Sequence, residues 1–119
     1  MLRLLIVDDE VIVRKWIALV FRPFDKEFEV AGTAANGYEA LEICRRQAID
    51  VVITDIIMPD MDGIAFAQAL REFDLHTQVV ILSNHADFSL AQKGMSLGVA
   101  EYLLKGEITE EELDRKSVV

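Results

Sequence analysis

Five polar residues in this chain each follow a short apolar run, and together they could perform phosphoryl chemistry. Asp8 and Asp9 come after residues 4–7, Asp55 after 51–53, Ser83 after 79–82 and Lys105 after 102–104. Two carboxylates about 4 Å apart repel by about 4 kcal/mol at an effective dielectric near 20, so three that met would need a cation or a raised pKa. Oxygen ligands with open positions suit Mg²⁺, which keeps several waters and shares its sphere with phosphate oxygens. Asp55 is then a candidate nucleophile that would form an acyl phosphate. Mg²⁺ and Lys105 would neutralise the equatorial oxygens while the Ser83 hydroxyl donates a hydrogen bond. The product would be a new dianion that draws Ser83 and Lys105 toward itself.

For these residues to meet, the runs before them must be strands of one sheet. Continuous β-branched runs of this length suit strands buried on both faces. A fifth run, residues 29–33, alternates less cleanly and follows Pro23. Helical spacing fills the intervals. Val13, Trp16, Ile17, Val20 and Phe21 repeat at three and four residues before Pro23. Ala40, Leu41, Cys44 and Ala48 form a second stripe entered through Asn36 and Gly37, and Ile64, Ala67 and Leu70 a third after Gly63. Phe88, Ala91, Met95 and Val99 form a fourth with Gly98 in a C-cap position, and Ile108 and Leu113 begin a fifth behind Thr109 as N-cap. Five β-α units in succession imply a doubly wound parallel sheet with helices on both faces. Ligands of such sheets bind beyond the carboxyl ends of the strands, where strand order reverses. If the first and third strands lie side by side, the three aspartates converge on one crevice.

The length of 119 residues suits a single domain, and 52% hydrophobic residues suffice for its core. A formal charge of −9 repels phosphate backbones and anionic membranes, so neither nucleic acid nor membrane is expected as a direct partner. Cys44 is the only cysteine, which excludes a disulfide framework and a thiolate metal site and suits a reducing, cytoplasmic location. The opening apolar run is too short for a signal-peptide core or a membrane span. The last helical pattern stops after about two turns. That ending suggests a truncated helix and an effector domain beyond residue 119.

At the five polar positions the sequence resembles the receiver domain of bacterial two-component response regulators. The likeness runs from Leu4 to about Leu113. It is carried by Val7, Asp8, Asp9 and Glu10, by Asp55 through Met58, Pro59, Asp60, Met61, Asp62 and Gly63, by Ile81, Leu82 and Ser83, and by Tyr102 through Lys105. The resemblance implies a flavodoxin-like fold with strand order 2-1-3-4-5. It also implies that Asp55 accepts phosphate from a sensor histidine kinase and that the domain catalyses only its own phosphorylation and dephosphorylation. Asp9 would ligate Mg²⁺ directly, Asp8 mostly through water, Asp55 through its carboxylate and Ile57 through its backbone carbonyl. Ser83 fills the switch hydroxyl position and Tyr102 the switch aromatic. Ile57 and His85 flank the approach of the hydrolytic water. A homodimer would form on phosphorylation. The stretch 83–88 is similar to regulators that carry an AraC-type DNA-binding domain, which would make the output transcription. One departure stands out: the family has proline after the lysine, joined by a cis bond, and here the residue is Gly106. A cis bond before glycine costs about 2.5–4 kcal/mol, so a trans or mobile loop is expected there.

Two other functions compete. A magnesium phosphatase of the haloacid-dehalogenase type would carry its nucleophile on the first strand as Asp-x-Asp, whereas here the first-strand carboxylates are adjacent. A phosphorylation-independent scaffold would tend to lose an acidic residue or the lysine, and this chain keeps all of them. Asp60 and Asp62 lack the further oxygens of a calcium loop and are expected to form a turn. Cys44 and Trp16 are expected to be packing residues, and His76 an exposed one.

Overall fold

The computed structural model describes residues 1–83 and 101–104, with Ser83 and residues 101–104 described as backbone only. In chain order it contains β1 (Leu2–Val7), α1 (Val11–Phe21), a 3₁₀ turn (Arg22–Phe24), β2 (Phe28–Ala34), α2 (Gly37–Arg46), β3 (Val51–Asp55), α3 (Gly63–Arg71), β4 (Gln78–Ser83) and β5 (Glu101–Leu104). The strands pair in parallel, in the order β2-β1-β3-β4-β5. β1 and β3 are therefore neighbours although β2 and two helices separate them in sequence. The fourth and fifth helical patterns, His85, Lys105 and Gly106 lie outside the described residues.

Period-two alternation divides each apolar run between two cores. Leu4, Ile6, Val51, Ile53, Val80 and Leu82 face one side, where Ile17 and Phe21 of α1 cover them. Leu5, Val7, Val52, Val79 and Ile81 face the other, under Ala40 and Leu41 of α2 and Ile64, Phe66, Ala67 and Leu70 of α3. Every residue of β3 is buried. The runs are continuously apolar because both faces are covered, as expected of a doubly wound sheet.

The helix boundaries follow from local chemistry. Asn36 caps α2 by accepting the Glu39 N–H at 2.9 Å, and Asp62 caps α3 by accepting the Ala65 N–H at 2.7 Å. Asp60 has φ of 70°, a left-handed turn conformation that aspartate tolerates. Both aspartates are thus turn and cap residues. Cys44 packs against the α2–α3 core, where burial and then the nearby Asp74 charge push its thiol pKa up to about 11. His76 is exposed, as expected.

Two helical expectations are corrected. Trp16 is 37% exposed and stands on the outer side of α1 with Ile12 and Leu19. Positions 12, 16 and 19 share one helical face, and that face differs from the one Ile17 and Phe21 turn to the sheet. Ala48 does not continue the α2 stripe, because that helix ends at Arg46 and Gln47 turns to extended backbone. The Ala48 carbonyl instead accepts the Arg3 Nε–H at 2.8 Å.

Candidate phosphoacceptor and metal site

The end of β1 is held in place from both sides. The Asp8 N–H donates to the Ala34 carbonyl at 3.0 Å, which prolongs the β1–β2 ladder by one residue. The Asp8 carbonyl accepts the Arg14 Nη1–H at 2.6 Å, and its Oδ1 accepts the Glu10 N–H at 2.9 Å. Asp8 is fully buried, whereas Asp9 and Glu10 are exposed. Burying a carboxylate in the last rung of a hydrophobic sheet is costly without compensating charge or hydrogen bonds. Its presence there marks a site.

Val7 pairs with Thr54, so Asp8 and Asp55 each lie one position beyond the same rung. Asp55 pairs with Leu82, which sets Ser83 one position further along the neighbouring strand, opposite Leu104. The register thus brings the ends of β1, β3, β4 and β5 to one edge of the sheet. Asp55 is 7% exposed, and its Oδ1 accepts the Ile56 N–H at 2.8 Å, which fixes the plane of the carboxylate. Its backbone carbonyl accepts the Thr54 hydroxyl at 2.9 Å.

The loop after Asp55 is tied down at its far end. The Gly63 N–H donates to the Ile56 carbonyl at 2.6 Å. A Cβ at Gly63 would lie 2.2 Å from the Asp55 carbonyl oxygen, so only glycine lets α3 begin this close to the acceptor strand. Ile57, two residues after Asp55, is 58% exposed and presents an apolar side chain beside the acidic edge.

Among the described residues, the carboxylates of Asp8, Asp9 and Glu10 offer oxygens that all lie within 4.8 Å of one another. Glu10, part of the same acidic run in the sequence but not expected there as a ligand, joins this cluster. All the donors are oxygens and all are anionic, which fits a hard divalent cation better than a soft one. No described helix is long and apolar enough to cross a membrane.

Residues 4–116 match the family model of the response regulator receiver domain. The chain belongs to this family. This receiver domain is 36% identical over 119 residues to the chemotaxis protein CheY of Treponema pallidum, covering 98% of this chain and 77% of that protein. It is 33% identical to the receiver domain of AraT, a response regulator of Geobacillus stearothermophilus, with a TM-score of 0.86 over 96% of this chain and 88% of that one. The CheX–CheY–BeF₃–Mg²⁺ complex of Borrelia burgdorferi aligns with a TM-score of 0.85 at 29% identity, over 97% of this chain and 85% of that one. Against UvrY of Escherichia coli the identity is 32% over 93% of this chain, which spans only 50% of that regulator. The domain is accordingly a flavodoxin-like α/β module of two-component signalling, a class whose partner is a histidine kinase, and not a conventional enzyme.

Proposed function

We propose that Asp55 is the phosphoacceptor of this receiver domain and that Mg²⁺ assists the transfer. The observation that carries the reading is the parallel register, which sets buried Asp8 and nearly buried Asp55 one position beyond the same rung. An Asp55 carboxylate oxygen attacks the phosphorus of a kinase phosphohistidine. The oxygen–phosphorus bond forms as the phosphorus–nitrogen bond breaks, and the electron pair leaves with the imidazole. Asp8, Asp9, the Asp55 carboxylate and the Ile57 carbonyl would hold Mg²⁺, which supplies Lewis-acid neutralisation of the phosphoryl oxygens. The carboxylates of Asp8, Asp9 and Glu10, with oxygens within 4.8 Å of one another, support an oxygen-ligated divalent cation at this edge. The likeness to a protein solved with beryllofluoride and Mg²⁺ supports the same reading.

Ser83 and Lys105 complete the site as hydrogen-bond donor and counter-charge, and Tyr102 responds as the switch aromatic. The outcome is a changed face that favours a second copy of the domain and controls an attached output domain. Relatives about twice as long support such an output, and the likeness to a LuxR-family DNA-binding response regulator of Staphylococcus aureus favours DNA binding. Ile57, exposed and apolar, and His85 would flank the water's approach to phosphorus, so occlusion should keep the phosphoryl group for long enough to act on transcription.

Acetyl phosphate or beryllofluoride treatment, read by intact-protein mass spectrometry with and without Mg²⁺, tests the acceptor. Asp55→Asn should lose labelling by at least about a hundredfold, the scale expected when a positioned nucleophile is removed. Undiminished labelling of Asp55→Asn would refute the assignment.

A further inference from the structure

The acceptor loop is anchored at a second point. The Gly37 N–H, at the first residue of α2, donates to the Met61 carbonyl at 3.2 Å. The Met61 side chain lies across the same glycine and packs against the core shared by α2 and α3. A Cβ at Gly37 would sit 2.6 Å from Met61 Cγ and 2.8 Å from its sulfur, so the methionine occupies the space a side chain would need. Gly37 is buried although it opens a helix whose next two residues are exposed. Residues 56–62 therefore span two fixed points: Gly63 on the Ile56 carbonyl at one side and Met61 on Gly37 at the other.

We infer that Met61, seated on Gly37, is a positioning residue for the acceptor site: it holds the loop that carries Ile57, and so sets both the cation's carbonyl ligand and the shield over the phosphoryl group. The inference rests on the Asp55 reading above. Two fixed points leave little freedom between them, because the loop is short and Pro59 restricts φ within it. The Met61 N–H also donates to the Pro59 carbonyl at 2.8 Å, which folds the loop back on itself. With the clasp gone, the exposed Ile57 segment keeps only its Gly63 anchor. Its carbonyl then meets the cation in a broader range of positions, and its side chain covers the phosphorus for less of the time.

The test uses the whole chain and four variants: Met61→Ala, Met61→Leu, Gly37→Ala and the Gly37→Ala/Met61→Ala double. Three quantities are read: Mg²⁺ affinity by calorimetry, decay of the acetyl-phosphate-labelled protein, and the urea unfolding midpoint. Met61→Ala should weaken Mg²⁺ binding and shorten the phosphoryl lifetime by about fivefold each, and Met61→Leu should restore both to within about twofold. Gly37→Ala should impair both while Met61 is present and cost less once Met61 is alanine, since the contacts with Cγ and the sulfur are then gone and only that with the residue's Cβ, at 2.9 Å, remains. A purely structural clasp would lower the urea midpoint and leave affinity and lifetime unchanged; that result overturns the inference. So does an equal cost of Gly37→Ala in both backgrounds. If wild-type protein labels at Asp55 while the variants behave like it, only this inference falls. Should wild type label elsewhere, the acceptor reading falls too.

Discussion

The two ends of the same strands are built on opposite electrostatic plans. At the amino end, the carboxylates of Glu29, Asp50 and Asp74 face donors from neighbouring segments. Arg3 reaches Glu29 through Nη1 at 3.0 Å, Gln47 through Nη2 and the Ala48 carbonyl through Nε, while its own N–H donates to Asp50 Oδ2 at 2.7 Å. Asp74 accepts N–H bonds from His76 and Thr77 and the Thr77 hydroxyl, which also bonds the Ile49 carbonyl at 2.8 Å. At the carboxyl end, Asp8, Asp9 and Glu10 crowd one another within 4.8 Å and Asp55 lies one strand away. One end is closed with complementary groups and stabilises the fold. The other gathers like charge, which costs stability where no cation offsets it.

The comparison breaks most visibly at Arg3. Its guanidinium ties β1 to β2 and to the segment before β3, so Arg3→Ala should destabilise the domain by about 1–3 kcal/mol, mostly through unmade hydrogen bonds. Urea denaturation without metal would show it, and an unchanged midpoint would mean that the amino end is not the stabilising one.

At the carboxyl end the sign should reverse. Removing a carboxylate relieves repulsion, so Asp9→Ala should raise metal-free stability by up to about 1 kcal/mol, an exposed-charge magnitude. It should also weaken Mg²⁺ binding more than Asp8→Ala does, if Asp9 is the direct ligand. Melting curves with and without Mg²⁺ separate the two effects, because a cation that binds only the folded state raises its stability. A metal-free Asp9→Ala less stable than wild type would contradict the proposed repulsion.

The smallest effect belongs to Asp74. Burial alone would raise its carboxyl pKa, yet the bonds from Thr77 and His76 and the Arg71 charge outweigh that and leave it lowered. A lowered folded-state pKa adds stability above the unfolded value, and that stability is lost as pH falls through the folded one. Asp74→Asn should therefore cost less than about 1 kcal/mol at pH 7, given its solvent screening. The gap from wild type should close as pH drops below the usual aspartate range. A gap that widened on acidification would give the pKa shift the opposite sign.

Much of this domain was legible in the chain alone because it depends on periodicity and local chemistry. Continuous apolar runs separated by helical spacing specified strands buried on both faces, and that burial is what the two cores display. Asn36 and Asp62 act through hydrogen bonds three residues away, so their sites needed no long-range information. The run endings at Asp8, Asp9 and Asp55 likewise marked the edge of the sheet. Other features depended on which elements came to lie together. Trp16 fits an apolar stripe as well as Ile17 does, and only the seat of α1 on the sheet decides which of them is covered. Glu10 joined the acidic cluster through the turn that follows β1. Gly63 and Gly37 read as ordinary helix starts. Their real constraint is steric, set by the Asp55 carbonyl at one and by Met61 at the other. Spacing along the chain encodes faces and caps, whereas close approach between segments distant in sequence exists only once the sheet has brought them together.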